Sequence, residues 1–339
     1  MIYPWQYSDW NNLQKLRPRW PNVLLLVGQY GIGKLDFAQH LAQSFLCESP
    51  KLNGEPCNHC LSCIWFKNGN HLDYRIVMPE ALLANTNSRI DSKDGKKICT
   101  PSKEIKIDQV RALLDFCSIT SHRGGVRVVV IYPAETMNII ASNAMLKTLE
   151  EPQKDVIFIL VSTRIDQLLP TIISRCQKWT MSMPLIDTAS VWLSSQDVND
   201  AHALLNQAGG APLLALAFAN DKNQSLRDFA LGQLAEGASC DPFTCAENLQ
   251  KLPMHLVLGW LQRWLYDLFA QRMTRTLRYF PKYTIAIARC AETIDINKLS
   301  RFIKKVTRQR TIENHPLNTR LVFEEMFFNY RNLFIQSTR

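Results

Sequence analysis

Residues 23–35 read VLLLVGQYGIGKL. The first five form a continuous apolar run, the pattern of a strand buried on both faces. Gly28, Gly31, Gly33 and Lys34 then spell Gly-x-x-x-x-Gly-Lys. In such a loop glycines let backbone N–H groups turn toward phosphates at a helix N-terminus, and the lysine adds charge. KLDFAQHLAQSFL (34–46) follows with apolar residues at helical spacing. Strand, glycine loop and helix in that order mark a nucleotide-binding type of α/β fold. The next letter speaks against its chemistry. A working loop ends in Ser or Thr, whose hydroxyl ligates magnesium; Leu35 offers no oxygen.

Further apolar runs, RIV (75–77), VRVVVIY (126–132), VIFILVS (156–162) and a short QKWTM (177–181), alternate with helical or loop segments. This implies a parallel sheet with helices on both faces. NIIASNAMLKTLEE (138–151) predicts a helix with Ile139, Ile140, Ala144, Met145 and Leu149 on one face. Asp108 is the expected N-cap of DQVRALLDFCSI (108–119). Residues 79–104 are polar and aperiodic, and read mostly as an excursion or mobile loop. Beyond about residue 182 strand signals fade. The expected plan is an α/β domain over 1–182, a small helical lid over 183–225 and a helical collar over 226–339.

Hydrolysis also needs an acidic pair at the end of a neighbouring strand, to organise magnesium and position water. On RVVVIYPAETMN (127–138) those slots hold Ile131, Tyr132 and Pro133. Glu135 is the nearest carboxylate, two positions past the second slot, and reads as an exposed loop residue. Two independent catalytic positions are therefore vacant.

Of ten cysteines, Cys47, Cys57, Cys60 and Cys63 fall within seventeen residues. In a reducing compartment such a cluster points to metal rather than disulfides. Four thiolates satisfy tetrahedral zinc with no open position, which makes the site structural. NGEPCNHCLSC supplies the Gly, Pro and Asn of a tight knuckle, and His59 or His71 are alternatives to Cys47 as fourth ligand.

The chain has 339 residues, 46% apolar and 20% charged, and a net charge of +9. From Lys251 onward there are 16 basic against 6 acidic residues, while the first 250 residues hold 23 against 24. A basic C-terminal region suits nucleic acid, an acidic partner or a solvated helical surface. MIYPWQYSDW carries neither a basic segment nor an apolar core, so no signal peptide is read. Apolar stretches such as APLLALAFA (211–219) are far short of the ~20 residues a membrane span needs. A cytoplasmic protein is expected.

With those residues in view the chain resembles the delta-prime subunits of bacterial DNA polymerase III clamp loaders, within the AAA+ family. The resemblance rests on YPW (3–5), LLLVGQYGIGK (24–34), the Cys-x-x-Cys-x-x-Cys knuckle, IKIDQVRAL (105–113), SNAMLKTLEEP (142–152) and LLPTIISRC (168–176). It extends through GGAPLLAL (209–216). It implies a subunit that does not hydrolyse ATP itself, working beside gamma/tau and delta subunits to load the sliding clamp on primed DNA. Polymerisation would lie in another subunit. The resemblance also implies that Arg175, in Ser174-Arg175-Cys176, is a finger reaching a neighbour's ATP, a role suited to a planar, permanently charged guanidinium. The alternative for Arg175 is an ion pair at a strand entrance. Ala211 to Leu214 carry no charge where ATP-binding relatives have a sensor arginine. Thr163 matches the other sensor position and reads as a leftover strand-end threonine. The implied collar makes Trp260, Trp264, Leu265 and Phe269 candidates for contact with neighbours, against the alternative of internal core.

Two rival readings remain. One is a self-sufficient ATPase with unusual metal ligation, which predicts turnover by the chain alone. The other is a zinc-containing DNA-binding protein whose basic tail binds in a strongly salt-dependent way.

Overall fold

A computed structural model describes residues 2–86, 101–122, 125–221, 223–311 and 318–334. The chain divides into two compact units, Met1–Leu185 and Ile186–Arg339.

The first unit is built on five strands: β1 (Val23–Val27), β2 (Tyr74–Val77), β3 (Arg127–Ile131), β4 (Val156–Ser162) and β5 (Gln177–Thr180). They lie in the order β2-β3-β4-β1-β5, and every pairing is parallel. Its helices are α1 (Tyr7–Gln14), α2 (Lys34–Leu46), α3 (Leu61–Lys67), α4 (Glu80–Thr86), α5 (Ile107–Ser118), α6 (Ile139–Glu150) and α7 (Pro170–Ile173). β1, β3 and β4 are buried along their whole length. Side chains alternate across a strand, so helices must cover both faces. Val23, Leu25, Val129, Ile131, Phe158 and Leu160 pack with Val110, Leu113, Met145 and Leu149 of α5 and α6. On the other face α2 packs over β1, β3 and β4. The parallel sheet between helices is the fold class expected from the sequence, with the cysteine module running from the C-cap of α2 into the first turn of α3.

Several local expectations need correcting. Glu80–Thr86 form α4, so the polar excursion begins as a helix; residues 87–100 lie outside the described residues. The N-cap before α5 is Lys106, and Asp108 sits in the first turn. The reason is Gln109, whose Oε1 accepts the Lys106 N–H at 3.0 Å and so starts the helix two residues earlier. In α6 the buried residues are Ala141, Ser142, Met145 and Leu149, whereas Ile139 and Ile140 are exposed. Asn138 caps this helix by accepting the Ala141 N–H at 2.8 Å, which sets the rotation of its first turn.

The second unit is helical: α8 (Ile186–Ser194), α9 (Ala201–Gln207), α10 (Pro212–Ala219), α11 (Gln224–Ala235), α12 (Pro242–Leu249), α13 (Met254–Thr274), α14 (Thr284–Thr293), α15 (Ile296–Thr311) and α16 (Thr319–Arg331). A small apolar cluster joins α8 to α10 through Ala189, Leu193, Leu205, Ala215 and Phe218. A larger one runs from Ala230 to Phe334. Trp260, Trp264 and Leu265 are buried inside that cluster and Phe269 packs against it, so the α13 stripe is internal core. Trp264 Nε1 donates to Tyr330 Oη at 2.9 Å, and that hydroxyl donates on to Leu234 O at 2.5 Å. Among the described residues no helix is long and apolar enough to cross a membrane.

Candidate functional site

The register pairs Val27 with Ser162 and with Thr180, and Ile131 with Leu160. In a parallel sheet that alignment puts the segments after β1, β3, β4 and β5 at one end, where phosphate loops sit. The glycine loop spans 28–33 between β1 and α2. Gly31 and Gly33 have φ of +84° and +83°, a left-handed conformation that glycine adopts without strain. A Cβ on Gly33 would also lie 2.6 Å from the Tyr3 ring. Gly33 is the N-cap of α2 and offers no side-chain cap, which leaves the first-turn N–H groups facing the loop.

Lys34 is only 4% exposed, and its Nζ donates to Gln29 O of the same loop at 2.6 Å. Burial lowers its pKa to about 8, and the negative charge of Glu135 opposes that shift. The positions an enzyme would use for metal hold the half-buried hydrocarbon of Leu35 and, after β3, Tyr132 and Pro133. The Tyr132 phenol is pushed up to about 12 by burial and by the charges of Tyr30, Glu135 and Asp36, so it stays a neutral hydroxyl at pH 7.

Glu135 corrects the sequence reading. It is half-buried rather than an exposed loop residue. Its Oε1 accepts the Thr163 N–H at 3.0 Å, and its Oε2 is buried with no hydrogen-bond partner among the described residues. The one contact of Thr163 with Glu135 is therefore made by backbone, not by its hydroxyl. Distance in sequence hid this link, because the partners are 28 residues apart.

The N-terminal segment was also invisible locally. Gln6 Nε2 donates to the carbonyls of Ile32 and Gly33 at 2.9 Å each, and Trp5 Nε1 donates to Ile32 O at 3.0 Å. Tyr3 stacks on Trp5 and donates to Asp36 Oδ2 at 3.3 Å. Tyr3–Gln6 thus clamp the last turn of the glycine loop from outside.

The cysteines converge as their spacing implies. The Sγ atoms of Cys47, Cys57, Cys60 and Cys63 lie within 4.8 Å of one another. Cys47–Cys60 and Cys57–Cys63 are 4.0 and 3.9 Å apart. Four thiolates at ~2.3 Å from a tetrahedral zinc would be about 3.8 Å apart, so the donor set fits that ion. Backbone N–H groups of Cys57, Cys60 and Cys63 point at Sγ of Cys47, Cys57 and Cys60, at 3.3, 3.3 and 3.4 Å. Such bonds favour the thiolate a metal requires. Neither histidine joins the group: His59 lies 2.8 Å from Cys57 O through Nδ1, and His71 Nδ1 accepts the Asp73 N–H.

Arg175 lies between α7 and β5, a quarter exposed at its side chain. Nη2 donates to Glu150 Oε1 and Nη1 to Thr171 O, each at 2.9 Å. Ala211 is the N-cap of α10, and no charged residue falls in Ala211–Leu214.

Against known proteins, residues 9–184 match the family model described as DNA polymerase III, delta subunit, and residues 220–331 match the model of its C-terminal part. A DNA polymerase III subunit delta' of Pseudomonas aeruginosa is 32% identical, the alignment covering 80% of this chain and 79% of that protein. The corresponding Escherichia coli subunit is 28% identical over 78% and 75% of the two chains. A DNA polymerase III subunit tau of Bacillus subtilis is 28% identical over 60% of this chain and 31% of its own length. Taken with the parallel sheet, the glycine loop and the cysteine knuckle, these matches show that the chain belongs to the delta' subunit family of DNA polymerase III.

Proposed function

We propose that this chain is a non-hydrolysing subunit of a clamp loader, which works in trans. The observation that carries the proposal is the loop itself. Lys34 is occupied by its own Gln29 carbonyl, and Leu35, Tyr132 and Pro133 stand where magnesium ligands are needed. Gly28, Gly31, Gly33 and Lys34 keep the shape of a nucleotide loop without the groups for hydrolysis. Arg175 is the residue that acts, as a finger to the ATP held by a neighbouring gamma/tau subunit. Relatives that are delta', gamma and tau subunits support a mixed assembly of related chains. Its other partners are a delta subunit and, through the complex, the sliding clamp and primed DNA.

The chain's parts follow that role. Residues 1–182 act as the AAA+ domain, 183–225 as a lid and 226–339 as a collar that holds the assembly. Cys47, Cys57, Cys60 and Cys63 hold one zinc ion, which cross-links the 47–63 module and supplies no reaction chemistry. The test of the trans role is ATP hydrolysis by the reconstituted complex on primed DNA. Arg175→Ala is expected to lower its turnover at least about tenfold, and unchanged turnover would sink the finger.

A further inference from the structure

The environment of Arg175 says more than its identity. Of five guanidinium N–H groups, one on Nη1 goes to Thr171 O and one on Nη2 to Glu150 Oε1. The Nε group is buried, with no hydrogen-bond partner among the described residues. One N–H on each terminal nitrogen is left for an incoming acceptor. A long side chain with three rotatable carbons is thereby held in one plane by two anchors from different elements, the end of α6 and the α7 turn.

Glu150 is oddly placed for any helical purpose. It is the last residue of α6 and is followed by Glu151, so two carboxylates sit at the negative end of the helix dipole. Its side chain is more than half exposed, so it fills no core. Among the described residues its side chain bonds Arg175. An ion pair this exposed is weak, and it is exchangeable when a more highly charged phosphate approaches.

We infer that Glu150 is a positioning residue for Arg175. Its carboxylate, with Thr171 O, orients the guanidinium toward the subunit boundary in advance and holds its charge until a neighbour's phosphate oxygens compete for it. Pre-orientation of this kind acts on the hydrolytic step more than on nucleotide affinity. This inference rests on the reading of Arg175 as a finger.

The test is a double-mutant cycle in the reconstituted clamp-loader complex, with ATP, magnesium and primed DNA. Glu150→Ala should lower kcat about 3- to 10-fold with KM nearly unchanged. Glu150→Gln, which keeps an acceptor without charge, should fall between Glu150→Ala and the parent chain. In an Arg175→Ala background neither change should lower turnover further. The thermal midpoint of each isolated variant should match that of the parent, which separates positioning from unfolding. If Arg175→Ala is slow while Glu150→Ala keeps full kcat, or lowers the double mutant by its whole factor, the positioning role is overturned and the finger stands. If Arg175→Ala itself turns over normally, both readings fall together.

Discussion

The Oε1 of Glu135 accepts the backbone N–H of Thr163 at 3.0 Å, tying the segment after β3 to the end of β4. In a hydrolysing relative, carboxylates after that strand would face a metal ion. Here the nearest carboxylate is turned onto the protein's own backbone, and the loop lysine is likewise turned onto Gln29 O. Lys34 and Glu135 have each found an internal partner. The loop keeps its outline because Gly31 and Gly33 retain left-handed backbone and Tyr3–Gln6 clamp its carbonyls.

The cysteine module should contain one zinc ion per chain when the protein is purified without chelator. Metal analysis checks this directly. Cys60→Ser should lower zinc content severalfold, since one thiolate in four is lost. It should also lower thermal stability, because binding energy at such a site is folding energy. Full stability with no bound metal would remove zinc from the account.

The sequence made the sheet legible, and the reason is physical. VLLLV and VIFILVS are apolar at every position because central parallel strands are covered on both faces. The cysteine cluster was legible because its spacing alone limits where four thiols can go. The misreadings have separate causes, some local and one distant. Ile139 and Ile140 fit a helical period but lie beside the Asn138 cap and face outward. Glu135 is half-buried because of an N–H 28 residues away. Local pattern cannot report the second relationship.

His40 gives the first unit a specific acid sensitivity. It is buried on α2 against Trp10, with its ring centroid 5.0 Å from the indole, and its Nε2 has no hydrogen-bond partner among the described residues. Burial lowers its pKa to about 4, helped by the positive N-terminus and Lys51 and opposed by Glu55. The unfolded chain therefore binds a proton more readily than the folded one between that value and its unfolded value of about 6.5. Stability from this group is complete above about pH 6.5 and is lost as pH falls toward 4, by on the order of 1–2 kcal/mol after allowing for partial solvation. Denaturant melts of the parent chain and His40→Gln at pH 7.5 and 4.5 should show the parent losing more. Equal losses would contradict the assignment.

Asp267 is fully buried in the second unit. Its carboxylate accepts the N–H groups of Arg278 at 3.0 Å, Tyr279 at 3.0 and 3.1 Å, and Phe280 at 2.7 Å. It thus ties the turn after α13 to that helix. Asp267→Ala leaves these donors without the carboxylate and should cost about 3 kcal/mol or more, read as a drop in the urea midpoint of the full chain. A loss under about 1 kcal/mol would mean that water replaces the carboxylate.

The most direct test of the whole account is steady-state ATP turnover by the purified chain alone, with magnesium, with and without primed DNA. The account predicts no turnover above background under either condition, because Leu35, Tyr132 and Pro133 provide no magnesium ligand. Turnover that is clear in the parent chain and lost in Lys34→Ala would contradict it, and would make the glycine loop a working site.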